Sequence, residues 1–294
     1  MARILNTLVF AACLALAGTP AAHAQEVALA GVLGSKALMV VGGGAPRAVA
    51  AGESYGGVTL VSVSSEGAVV EGNGQRELVD MLFNLNTPDA GSVEVSGKSI
   101  IRMPQNRIRD HGVSLVPEDR MTYGIADLAT IEENVISDRF DEKRFNSGVL
   151  FNMREIHQES DTLIVDYRIL SKSRRQQVKM LSGGNIQKVV VARELSSKPT
   201  LLIADQPTRG IDVGATEFIR AQIVDLSRNG AAVLLVSADL NEVIELSDSL
   251  IVMYGGKVVA YFEDTHKLDD ITMGEYMLGL KHQTEEEIAK VCYE

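Results

Sequence analysis

Tryptophan is absent from this 294-residue chain, and aromatic residues as a class make up only 5% of it. A platform on which nucleic-acid bases could stack is therefore excluded. Positive charge is also scarce. The 28 Lys and Arg are outnumbered by 39 Asp and Glu, giving a net charge of −11, which argues against a polyanionic partner. Cysteine occurs twice, at Cys13 and Cys292, so neither a disulfide framework nor a thiolate metal centre is available. No apolar run is long enough to cross a bilayer as a helix. The apolar content of 46% suffices for a packed core, and the length allows one large domain or two small ones.

The first 24 residues are expected to be a secretory signal peptide. Arg3 supplies a positive start, Ile4 to Ala17 is apolar apart from Asn6 and Thr7, and Ala22-His23-Ala24 has the A-x-A form of a cleavage site. Residues 25–68 read as a small β-rich segment. Val27-Ala28-Leu29, Ala37 to Val41 and Val58 to Val63 are β-branched or apolar runs, and Gly42-Gly43-Gly44 is a turn between them. This stretch resembles the start of exported periplasmic proteins.

From about Val69 the pattern changes to alternating strands and amphipathic helices, as in an α/β domain with a mostly parallel sheet. Strands are expected at Val113 to Val116, Leu201 to Ala204, Ala232 to Ser237 and Leu250 to Met253. A helix after Gly74 would place Leu78, Leu82 and Leu85 on one face, and another from Thr216 to Asn229 would bury Ile219, Ile223 and Leu226 before stopping at Gly230. The segment 132–179 is charged and helical, and 281–294 reads as an acidic, solvated tail.

Three motifs carry the chemistry. Val69 to Arg76 holds Gly72, Asn73, Gly74, Gln75 and Arg76 between a strand-like run and a helix, where backbone amides could curl around a phosphate. Leu181-Ser182-Gly183-Gly184-Asn185-Ile186-Gln187 offers a hydroxyl and two exposed amides at a helix start. Leu201 to Asp205 is an apolar strand ending in a carboxylate, followed by Gln206-Pro207-Thr208-Arg209-Gly210-Ile211-Asp212.

An L-S-G-G-x-x-Q run, an apolar strand ending in Asp, and P-T-x-G-x-D resemble the ATP-binding cassette of ABC transporters, over about residues 69–290. The resemblance implies a P-loop NTPase fold of ABC type with a helical subdomain. It implies a cassette at 69–265, truncated at its N-terminus, and a helical tail at 266–294. It also implies ATP and Mg2+ as cofactors. The first glycine of G-x-x-x-x-G-K-[ST] is Val69, the Lys is Gln75 and the Ser or Thr is Arg76. A neutral amide brings no charge to the phosphates, and Arg76 has no hydroxyl for a hard cation. Glu118, in Val116-Pro117-Glu118-Asp119-Arg120, stands where the family has a metal-sensing Gln. Asp205 would hold magnesium through water. Gln206 occupies the place of the catalytic Glu and Ala238 that of the switch His, so general-base work would be lost.

The intact run with Ser182, Gly183, Gly184 and Gln187, together with Asp212, would serve a partner's ATP. The positions that fail would serve this chain's own. That division is similar to the second, degenerate cassette of sugar- and nucleoside-import ATPases. The implied role is an ATP-binding module with negligible hydrolysis alone, paired with a partner cassette and transmembrane permease subunits at the cytoplasmic face of the cell membrane. The alternative is an exported, non-enzymatic β-type protein carrying a cassette remnant.

Overall fold

The computed structural model describes residues 27–33, 36–41, 47–50, 54–55, 58–64, 67–71, 74–83, 85, 91–148, 150–265, 268 and 270–289. The expected leader, the Gly42–Gly44 turn, Gly72, Asn73 and Cys292 lie outside the described residues. The chain divides into two compact units, one holding Glu94–Ser247 and the other the residues around it in sequence, through Val93 and from Asp248 onward.

The second of these units opens with two antiparallel sheets. The first comprises β1 (Val27–Leu33), β2 (Lys36–Val41) and β3 (Arg47–Ala50), in that order. The second comprises β4 (Ser54–Tyr55), β5 (Val58–Ser64) and β6 (Gly67–Glu71). The expected β-rich segment is thus present in the backbone. Helix α1 (Gly74–Leu82) follows β6 in the chain, and a phosphate loop likewise lies between a strand and a helix. The expected face of α1 needs correction. Val79, Leu82 and Phe83 are buried, whereas Leu85 lies beyond the helix and is exposed. Burial at 79, 82 and 83 follows the i, i+3, i+4 spacing of one helical stripe.

The unit Glu94–Ser247 begins with a short hairpin, β7 (Glu94–Val95) and β8 (Lys98–Ser99), then α2 (Gln105–Asp110) and β9 (Val113–Val116). Next come α3 (Ile131–Val135), α4 (Met153–Asp166) and α5 (Gly183–Ser196). The unit closes with β10 (Leu201–Asp205), α6 (Val213–Arg228), β11 (Ala232–Val236) and α7 (Leu240–Leu246). Strands β11, β10 and β9 pair in that order and in parallel, with Leu201 opposite both Ala232 and Val113. All four residues of β9 are buried, Ser114 with its hydroxyl 3.0 Å from that of Ser197, as in a strand covered on both faces. Among the described residues the parallel pairing is confined to these three strands.

Two packed clusters hold this unit together. Val116, Val190, Val191, Leu195, Leu202, Ala204, Ile219 and Ile223 seat α5 and α6 on the sheet. Ile131, Val135, Phe145, Ile156, Leu163, Val178, Ile186 and Val189 join α3, α4 and α5 into a helical layer. Burial of each of the Val, Leu, Ile and Phe side chains is worth about 1.5–3 kcal/mol, so α5 is fixed from both sides. Its ends and those of its neighbours are set locally. Thr130 and Glu133 form a reciprocal cap on α3, and Asp212 caps α6 through the Ala215 amide. Gly230, at φ +101°, ends the α6 segment, a conformation that costs glycine little.

The other unit resumes with the antiparallel pair β12 (Leu250–Tyr254) and β13 (Lys257–Phe262), then α8 (Asp270–Met277) and α9 (Glu285–Ile288). The tail is not simply solvated, as its acidic composition suggested. The Gln283 side chain accepts from the Tyr261 amide at 2.7 Å and donates to the Tyr261 carbonyl at 3.0 Å, adding a rung to β13. Among the described residues no helix is long and apolar enough to cross a membrane.

Candidate functional site

Two polar edges of the unit Glu94–Ser247 gather most of the singled-out residues. The first is the start of α5. Ser182 occupies its N-cap in an extended conformation (φ −68°, ψ 158°) and is exposed. Its side chain makes no capping bond. Instead its hydroxyl oxygen accepts from the Asn185 amide group at 2.8 Å, while Asn185 Oδ1 accepts from the Leu170 N–H at 2.8 Å. Asn185 thereby ties the Ser182 turn to the end of the helical layer. The first N–H groups of a helix have no intrahelical partner and carry partial positive charge, so this edge can receive an anion.

Close approach favours glycine strongly at Gly184 and more mildly at Gly183. A Cβ on Gly184 would lie 2.5 Å from Asp212 Oδ2, and one on Gly183 would lie 3.2 Å from Arg120 Nη2. Gln187, only 2% exposed, donates from Nε2 to the Pro207 carbonyl at 2.7 Å. Its Oε1 is buried without a partner. The structure therefore brings Ser182, Gly183, Gly184, Gln187 and Asp212 together.

The second edge is formed by the C-terminal ends of β10 and β11. Asp205 ends β10 and is buried. Gln206 has φ +49°, a left-handed conformation that costs a non-glycine residue of order ~1–3 kcal/mol. Its N–H donates to the Val236 carbonyl at 2.8 Å. Its Oε1 accepts from the Ala238 N–H at 3.2 Å. The side chain at the expected base position is thus bonded to the backbone at the expected switch position, and neither residue carries a group able to take a proton. Among the described residues no three His, Cys, Asp or Glu side chains are arranged to hold a metal ion.

Glu118, just past β9, forms an ion pair with the Arg209 guanidinium. Of the expected phosphate loop, Gly74, Gln75 and Arg76 form the first turn of α1.

Three groups that sequence reasoning passed over hold these edges in place. Glu242, fully buried on α7, accepts from Thr208 Oγ1 at 2.8 Å and from Arg220 Nε at 3.1 Å. Arg120 donates to the carbonyls of Arg209 and Gly210. Glu194, fully buried near the end of α5, accepts from Arg109 at 2.7 and 3.1 Å, from Arg193 at 2.8 Å and from the Leu115 N–H at 3.3 Å. Burial opposes its charge, but Arg193 and Arg109 outweigh that and hold the carboxyl below its ordinary range. Arg120 lies in the Pro117-Glu118-Asp119-Arg120 run and Glu242 in Ser237-Ala238-Asp239-Leu240-Asn241-Glu242-Val243. Both were in view as motif members, without any signal of what they would touch.

Residues 70–209 match the sequence model of the family described as ABC transporter. The chain is 43% identical over 194 residues to the glucose import ATP-binding protein TsgD13 of Haloferax volcanii, covering 65% of this chain and 35% of that protein. It is 35% identical over 193 residues to the guanosine import ATP-binding protein NupO of Bacillus subtilis, covering 66% and 38%. With the arabinose import ATP-binding protein AraG 1 of Burkholderia thailandensis it shares 36% over 219 residues, covering 73% and 41%. The chain thus spans between a third and a half of the length of these curated relatives. Among solved structures, the dimeric ATP-binding cassette MJ0796 in a post-hydrolysis state with ADP and Pi aligns with a TM-score of 0.56 at 20% identity, over 66% of this chain and 82% of that one. The ADP conformation of the cassette MJ1267 aligns with a TM-score of 0.53 at 19% identity, over 72% and 92%. The chain therefore has the fold of an ABC transporter ATP-binding cassette, with residues 70–209 matching that family and a sequence similar to import ATP-binding proteins for sugars and nucleosides.

Proposed function

We propose that this chain is an ATP-binding module of a sugar or nucleoside importer that completes a partner cassette's ATP site and is hydrolytically silent in its own. On this reading the cassette runs over 69–265 and works at the cytoplasmic face of the cell membrane, beside transmembrane permease subunits. The contrast between the two edges carries the reading. At the start of α5 an exposed hydroxyl stands beside helix N–H groups that have no intrahelical partner, the chemistry that a terminal phosphate needs. At the ends of β10 and β11 the Gln206 amide is bonded to the Ala238 backbone, and neither of these two residues offers a base to activate water.

ATP bound with Mg2+ would supply a phosphoryl group whose charge the metal offsets. Asp205 would be the carboxylate for a metal, and the run Gly72, Asn73, Gly74, Gln75 and Arg76 would be the loop for this chain's own nucleotide. Gln75 gives that loop no cation, so binding there is expected to be weak. Ser182, Gly183 and Gly184 would meet the partner's γ-phosphate, with Asp212 and Gln187 holding the turn behind them.

The test mixes this chain with a hydrolytically intact cassette of the nucleoside-import type and measures ATP turnover. The wild type should stimulate hydrolysis. Ser182→Arg should abolish the stimulation, because the long cation fills the phosphate space and removes the hydroxyl. Gln206→Ala should change it by less than about twofold, since one neutral side chain bonded to backbone contributes little to chemistry elsewhere. Equal losses in both variants would reject the assignment of the two edges.

A further inference from the structure

We propose that Arg120 is a positioning residue for the Ser182 edge, pinning the Arg209–Gly210 turn against the glycines that follow Ser182. The proposal rests on the composite-site reading above. Its geometry is that of a fork. Arg120 Nη1 donates to the Arg209 carbonyl at 2.9 Å and Nη2 to the Gly210 carbonyl at 3.2 Å. Two successive carbonyls on one loop are thus held by one planar group, an arrangement that a lysine ammonium cannot reproduce.

The same Nη2 faces the turn at Ser182. A Cβ on Gly183 would stand 3.2 Å from it and 3.7 Å from the Gly210 oxygen. Three elements therefore share one contact: the guanidinium, the loop after β10 and the first residue of α5. The neighbouring contact, Gly184 against Asp212, closes the same seam one residue further along. Moving the Arg209–Gly210 turn would change what lies beside the Ser182 hydroxyl.

Arg120 acts from a firm base. Asp119 accepts from the Met121 and Thr122 amides at 2.9 and 3.0 Å and from the Thr122 hydroxyl at 2.6 Å, closing the turn that Arg120 starts. Gly124, at the end of that turn, packs so closely that a Cβ there would lie 3.2 Å from both Arg120 Cβ and Val190 Cγ2. The backbone of Arg120 is thus wedged onto α5. Its Nε is buried without a partner, so the guanidinium leaves one donor unsatisfied while both terminal nitrogens reach the loop. The Glu118–Arg209 ion pair ties the side chain of the pinned residue to the same segment.

Two measurements on the full chain test this. In hydrogen exchange, Arg120→Ala should speed the amides of residues 209–212 by about tenfold or more while β10 stays protected, because a loop opens more readily once the hydrogen bonds that hold it are removed. In the mixed-cassette assay, Arg120→Ala should lower the stimulated kcat by about tenfold to a hundredfold, the scale of a small misplacement at a reacting centre, with KM for ATP nearly unchanged. Arg120→Lys should recover only part. Gly183→Ala should cost less in the Arg120→Ala background than alone, since its Cβ then has room. Unchanged exchange at 209–212, unchanged stimulation, or full recovery by lysine would overturn the proposal. If Ser182→Arg also stimulates normally, the composite-site reading falls and the role of Arg120 in it falls too. If Ser182→Arg abolishes stimulation while Arg120→Ala does not, only the proposal about Arg120 falls.

Discussion

The start of α5 and the ends of β10 and β11 lie in one compact unit and treat their polar groups in opposite ways. At the first, the Ser182 hydroxyl is exposed and is bonded only to the Asn185 side chain. At the second, the Gln206 amide is turned inward on the Ala238 backbone by a left-handed main-chain conformation. One edge leaves a hydroxyl exposed, and the other is bonded within the unit. The lesson is that a loop flanked by Gln206 and Ala238, neither of them an acid or a base, can still be firmly held. The loop between these edges is bonded at Pro207 by Gln187, at Thr208 by Glu242, and at Arg209 and Gly210 by Arg120.

The largest effect expected from this contrast is on turnover. The isolated chain should hydrolyse ATP negligibly, because a missing base or electrostatic group commonly costs about two to four orders of magnitude. The check is steady-state phosphate release by the purified chain with magnesium. A robust rate abolished by Asp205→Ala would show that the second edge is chemically competent and would break the contrast.

The next effect is on stability, and it asks what keeps the first edge in place. Helix α5 is anchored at its far end by Glu194, which is fully buried between Arg109 and Arg193 and also receives the Leu115 amide of β9. Glu194→Ala leaves two cations without their shared partner. Breaking a buried pair in this way costs about 3–5 kcal/mol. Urea denaturation should show that loss as a lower midpoint with a similar slope. Gln206→Ala, by comparison, removes one neutral bond and should cost no more than about 1.5 kcal/mol. Similar losses in both would mean that α5 does not depend on its buried ions.

Much of this architecture was legible in the chain itself. β9 runs over the four residues expected, and β10 and β11 fall within one residue of the expected bounds, because strands of a parallel sheet are written as largely apolar runs. Helix α6 stops where Gly230 said it would. A helix from Asn185 was expected after the glycines, and α5 begins two residues earlier, at Gly183. What could not be read were contacts between distant residues. Arg120 meets Arg209, Glu118 meets Arg209, and Glu194 meets Arg109 across 85 or more positions. A charged residue in a motif reads as solvated until its partner is known, and only the fold supplies the partner. Leu85 failed for a local reason: α1 ends at Leu82, so helical spacing no longer applies three residues on.

The smallest effect concerns Asp138, beside the Glu194 cluster. Its side chain is only 4% exposed, with Oδ1 3.4 Å from Arg139 Nε and Oδ2 3.9 Å from Arg109 Nη1. Burial and the like charge of Glu194 push its carboxyl above the ordinary range, and Arg139, Arg109 and Arg193 only partly offset them. A value raised in the folded state favours the protonated acid there. The stability it contributes is present below the unfolded value and lost as pH rises through the folded one. At neutral pH the ionised Asp138 is therefore a cost, and asparagine keeps its shape without the charge. Asp138→Asn should raise Tm slightly at pH 7, and the advantage should vanish as pH falls below the ordinary aspartate value of about 4. Glu194 behaves oppositely, since its lowered value means that its contribution is lost as pH falls through the folded value. Acidification should thus erase the gain from Asp138→Asn before it removes the Glu194 anchor. The measurement is Tm against pH for the wild type and Asp138→Asn. A lower Tm for Asp138→Asn at pH 7 would show that the contacts to Arg139 and Arg109 outweigh the burial penalty, and that the anchor of α5 includes both carboxylates.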